Sequence, residues 1–78
     1  MNMNAKRRRK IKYVLDDIDN VIVALTEIRD EEQASLDNMP ENLAFSDKYN
    51  EMEDNIQALD NAIEALDEVV FSITNDVI

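Results

Sequence analysis

Residues 49–77 read YNEMEDNIQALDNAIEALDEVVFSITNDV. Within them Tyr49, Met52, Ile56, Leu59, Ile63, Leu66, Val70, Ile73 and Val77 recur at spacings of three and four. An α-helix completes a turn every 3.6 residues, so this spacing gathers all nine on one side of a helix. Upstream, Ile11, Val14, Ile18, Val21, Leu25 and Ile28 repeat the pattern. Pro40 is the only proline, it falls between the two runs, and the chain has no glycine. Two apolar stripes joined by one break predict an all-α fold. Its form is a two-helix antiparallel hairpin, coiled-coil-like, that self-associates into a helical bundle.

The expected limits follow from local chemistry. A first helix spans residues 5–37, a turn 38–46 and a second helix 47–75, forming a single domain over 1–78. Met39 precedes proline and is steered out of the α region, which stops the first helix. Pro40 suits the first position of a short turn, Pro40–Leu43. Ser46 is a good N-cap, with Asp47 favourable in the first turn behind it. Leu43 and Phe45 are expected to fold back over the open end of the hairpin. Helices of similar length joined by this loop should set side by side residues whose numbers sum to about 83, such as Leu25 and Leu59. In the first helix the run Ile11 to Ile28 takes the inner seam. Leu15, Ile22 and Leu36 form its flank, and Arg29 is placed to pair with an acid of the second helix.

Seventy-eight residues make a small core, and such chains usually need outside support. With no cysteine and no histidine, neither disulfides nor zinc can supply it. A homo-oligomer is therefore expected. Ala58, Ala62, Ala65 and Val69 widen the apolar arc of the second helix. Phe71, Val77 and Ile78 make its end apolar on several sides. The predicted oligomer interface is Ala58, Ala62, Ala65, Val69, Phe71 and Val77.

Charge is segregated. Lys6, Arg7, Arg8, Arg9, Lys10 and Lys12 give the first twelve residues +6, and all eighteen acids follow with only Arg29 and Lys48 among them, for a net charge of −10. An acidic body argues against general coating of nucleic acid. The basic head is open to several readings. It can bind phosphates of a nucleic acid or nucleotide, with Tyr13 stacking on a base. It can touch an anionic membrane surface, or pass as a nuclear localisation signal. Or it is neutralised by Glu64, Asp67, Glu68 and Asp76. Asp54, Glu64, Asp67 and Glu68 make a candidate acidic face for a basic protein partner.

Catalysis is not expected. Ser35, Ser46 and Ser72 lack a base of the usual kind, and the carboxylate pairs lie on solvated helix faces. No catalytic residue, cofactor or metal site is assigned: di-iron bundles use a Glu-x-x-His spacing, and calcium loops need a central glycine. No segment has the roughly 20 apolar residues of a membrane span, and the expected location is the cytoplasm.

Arg29-Asp30-Glu31-Glu32-Gln33, followed by Asp37-Asn38-Met39-Pro40-Glu41-Asn42-Leu43, then Ser46, Lys48-Tyr49 and the Ala/Leu/Asp-rich second helix, resembles a family of small phage and prophage proteins of Gram-positive bacteria. Those proteins begin with a basic stretch and carry a turn of the form Asp-Asn-Met-Pro-Glu-x-Leu. The resemblance implies an accessory protein of a mobile element. Such a protein would act by protein–protein interaction, binding and inhibiting a host or antiphage-defence factor in the host cytoplasm. Nucleic-acid or nucleotide binding through the head of an oligomer is the alternative, and an assembly factor of a phage particle is a further one.

Overall fold

A computed structural model describes residues 3–77 as two long antiparallel helices forming a rod. Helix α1 spans Ala5–Asp37 and helix α2 spans Asp47–Ser72. A single 3-10 turn, Glu41–Leu43, lies between them, and the last residues, Ile73–Val77, widen into a π-helical turn. No helix among the described residues is long and apolar enough to cross a membrane.

Each helix starts on a side-chain cap. Asn4 Oδ1 accepts from the Arg7 N–H at 2.9 Å, and Ser46 Oγ accepts from the Tyr49 N–H at 3.2 Å. Each bond satisfies one backbone donor that the helix itself cannot reach. The Ser46 cap is legible in the sequence, whereas Asn4 carries no signal beyond its residue type. At the other end of α1, the Asn38 N–H closes the last turn on Ala34 O at 3.1 Å. With no glycine to take a left-handed position at the end of α2, the terminal carbonyls need other partners. Asn75 Nδ2 supplies one, donating to Phe71 O at 2.8 Å.

The left-handed residue of the loop is Phe45, at φ 65. This region is costly for a bulky residue, by about 1–3 kcal/mol. Its neighbours hold it there. The Ser46 N–H donates to Leu43 O at 3.0 Å, and the Phe45 ring meets Tyr49 at 6.1 Å between centroids. The inverted backbone turns the ring outward, so Phe45 is 84% exposed and Leu43 is exposed as well. Neither covers the end of the hairpin. The loop-proximal core is instead closed by Met52 and Ile56, the two buried apolar side chains among the described residues.

The two helices also meet in a different rotation from the one that the first stripe predicts. Ile11, Leu15, Ile18, Ile22, Leu25, Arg29 and Leu36 are half-buried, while Val14, Val21 and Ile28 are each about half exposed. Ile11, Ile18 and Leu25 belong to both candidate seams. The choice between them is whether position 14, 21, 28 or position 15, 22, 29, 36 completes the face. It amounts to a turn of α1 by about 50°, half of one residue step. The second option buries the larger leucines and ends on Leu36 rather than Ser35. It also brings Arg29 within reach of Asp60: Nε donates to Oδ1 at 2.8 Å and one terminal nitrogen to Oδ2 at 3.4 Å.

The register is displaced too. Arg29 bonds Asp60, and Asn55 Nδ2 donates to Glu32 Oε2 at 3.2 Å, pairs whose numbers sum to 89 and 87 rather than 83. The loop descends through its 3-10 turn before reversing, so α2 begins about a turn beyond the end of α1. Carried up the rod, this register sets Val77 level with residues 10–12. The first turn of α1 then runs past the end of α2.

Two substitutions test this packing. Ile56→Ala should lower the unfolding free energy by about 2–4 kcal/mol, the usual range for emptying a buried aliphatic site. Phe45→Gly should raise it by roughly 0.5–1 kcal/mol, because glycine removes the left-handed strain while only an exposed ring contact is lost. Urea melts of both variants decide the matter.

Candidate interaction surfaces

The turn of α1 sorts the surface into two faces. Ile28 and Ser35 of α1 share an open groove of about 560 Å³ with Asn55, Ala58 and Leu59 of α2. Ile28 belongs to the heptad line Val14, Val21, Ile28, and Ala58 to the line Ala58, Ala62, Ala65, Val69. Helical periodicity therefore puts both lines on the same face of the hairpin, where the groove marks its loop-proximal end. All seven side chains are exposed. Acids at the edge of the groove, Glu31 and Glu32, are the charged groups nearest to it.

The reverse face is polar. Two residues along a helix is a turn of about 200°. Asp60 follows Ala58 by two, Glu64 follows Ala62, and Asp67 follows Ala65, so each alanine on one face is matched by an acid on the other. Here Gln33 Nε2 donates to Asp37 at 2.9 Å and Gln57 Nε2 to Asn61 at 3.0 Å, spacings of four that suit a solvated helix. Arg29 bridges the helices on this side. The hydrogen bond that it donates to Asp60 holds its guanidinium above the ordinary arginine pKa, outweighing desolvation, so the group stays charged at every pH the fold meets.

The predicted interface residues divide between these surfaces. Ala58, Ala62, Ala65 and Val69 form one line. Phe71 lies two residues beyond Val69, on the reverse face, and is 71% exposed. Val77 is half-buried at the end of the seam, and Ile78 lies outside the described residues. Periodicity missed Val14, Val21 and Ile28 as surface because it had assigned them to the seam. The acidic set is exposed throughout but spread out. Asp54 and Glu68 lie along the outer line of α2, about 21 Å apart by helical rise. Glu64 and Asp67 face the reverse side.

Among the described residues, none of Lys6, Arg7, Arg8, Arg9, Lys10 and Lys12 forms an ion pair; the ion pairs present are those of Arg29 with Asp60 and Asp30. Arg8 is half-buried on the seam side and the other five are exposed. Six cations in seven residues encircle the helix rather than converge on one pocket. Tyr13 is 71% exposed beside Lys10 and Arg9, one turn back. Ser46 is engaged as a cap, and Ser72 Oγ donates to Asp76 Oδ2 at 3.3 Å. Among the described residues, no three acidic, histidine or cysteine side chains come together around a point that could hold a metal ion.

The overhang of the head has a direct readout. The backbone amides of residues 8–10 should exchange with solvent at least 100-fold faster than those of residues 52–59, because they lie at the thinly covered end of the hairpin, away from the buried Met52 and Ile56. Comparable protection at both ends would mean that α2 extends over the head. Comparison with protein-family models, with curated proteins and with solved structures finds no match to this chain.

Proposed function

We propose that this chain works without chemistry, as a self-associating protein-interaction module that binds and inhibits a host or antiphage-defence protein in the host cytoplasm. The observation that carries the reading is the open apolar face: Val14, Val21, Ile28 and Val69 stand about half exposed along one side of a rod whose interior holds only two buried side chains among the described residues. A surface of that kind on so small a body is a binding surface. The reverse face, with Glu64 and Asp67, and the outer line, with Asp54 and Glu68, leave acids free for a basic partner while the apolar face is covered. The resemblance of the Asp37–Leu43 turn to phage and prophage accessory proteins supports the choice of a host factor as that partner.

A second reading rests on the head. Six cations that form no ion pair among the described residues, beside an exposed Tyr13, favour a phosphate-bearing ligand, a nucleotide or nucleic acid. The two readings respond oppositely to substitution. With the chain as bait in a lysate of a Gram-positive host, changing Asp54, Glu64, Asp67 and Glu68 to alanine should abolish recovery of a stoichiometric partner, and changing Arg7, Arg8 and Arg9 to alanine should not. Oligonucleotide affinity that falls at least tenfold in the arginine variant, and falls again when salt is raised, would transfer the function to the head.

A further inference from the structure

The geometry points to a second copy of this chain as the occupant of the apolar face, stacked so that the loops lie at opposite ends and the basic head of each copy rests against the acidic, loop-proximal part of α1 in the other. This rests on the self-association proposed above and adds its surface and its direction.

Charge selects the direction. Two identical faces can meet about a twofold axis in two ways. With the axis along the rod, both heads lie at one end, and twelve cations crowd together. With the axis across the rod, α1 lies antiparallel on the partner's α1, and the heads are separated by the length of the molecule. The exposed line of α1 reads Arg7, Val14, Val21, Ile28, Ser35, and the line beside it Lys10, Asp17, Ala24, Glu31, each at steps of seven. Crossing at Val21 sets Val14 on the partner's Ile28, Arg7 on the partner's Ser35 and Lys10 beside the partner's Glu31. The same axis crosses α2 near residue 67, which sets Ala65 on the partner's Val69. Small side chains there let the two α2 helices approach closely. The heads, whose six cations form no ion pair among the described residues, lie in this arrangement against the stretch that holds Asp30, Glu31 and Asp37.

The area is sufficient. Residues 7–35 run about 42 Å along the axis, and the hairpin is 16 Å wide. Two such faces in contact remove on the order of 1,300 Å² from water, inside the range of specific protein complexes.

The mass in solution and a pair of cysteines test it. The full chain should sediment at about 18 kDa, twice the 9.0 kDa of one copy. Val21→Glu should sediment as a monomer. The natural chain has no cysteine, so Lys10→Cys and Glu31→Cys chains can be mixed and oxidised, and they should form the mixed disulfide in preference to either homodimer. Lys10→Glu should weaken association about tenfold, and adding Glu31→Lys should restore it. A wild-type monomer at 100 µM (about ten times a micromolar-range dissociation constant) overturns both self-association and the arrangement. A dimer whose Lys10→Cys chains link to each other overturns the arrangement alone. If Val21→Glu proves unfolded by circular dichroism, the disulfide pattern still decides.

Discussion

The rotation of α1 about its own axis determines what this hairpin leaves exposed. Two stripes compete for the inner seam, and they share Ile11, Ile18 and Leu25. The one that wins buries Leu15, Ile22 and Leu36 and brings the Arg29 guanidinium onto the Asp60 carboxylate. An ion pair half open to water contributes little to stability, but a two-pronged contact between planar groups has a narrow geometry. Its role here is orientation. By fixing Arg29 on the reverse side, it turns Val14, Val21 and Ile28 out beside Ala58, Ala62 and Ala65. One face becomes apolar and the other polar.

That division bears on how such a small chain stays folded. Two helices have only one mutual seam, and here just two side chains among the described residues are buried, both near the loop. Toward the open end the seam is only half covered, and the head runs beyond it. Chains of this size without disulfides or metals generally gain the missing burial by association. The apolar face that leaves the single hairpin incomplete is the surface a second copy would cover, and the acidic faces stay open for a partner.

Much of this was legible in the residues. Spacings of three and four gave two helices. Pro40 gave the break, and Ser46 the start of the second helix. The surplus apolar edge at Ala58, Ala62 and Ala65 was visible because it widened the arc of α2. The rotation of α1 was not legible, since Val14 and Leu15 fit a period between 3.5 and 3.6 equally well. The decision depends on contacts between the helices, the packing of Leu15, Ile22 and Leu36 together with the bond of Arg29 to Asp60, 31 residues away. Register was misread for a related reason. Counting residues around a turn assumes a tight reversal, whereas this loop steps down through a 3-10 turn and a left-handed phenylalanine. Phe45 was read as a lid because it is apolar, and a positive φ in a chain without glycine could not be foreseen from residue type.

The side chains at positions 21 and 22 carry the whole distinction between seam and surface. An isotope-filtered nuclear Overhauser experiment on a one-to-one mixture of labelled and unlabelled chains reads both at once. The Ile22 methyl groups should show contacts to Leu66 within one chain, and the Val21 methyl groups should show contacts between chains. Val21 contacts to Leu66 within one chain, with Ile22 facing solvent, would contradict the rotation and everything built on it.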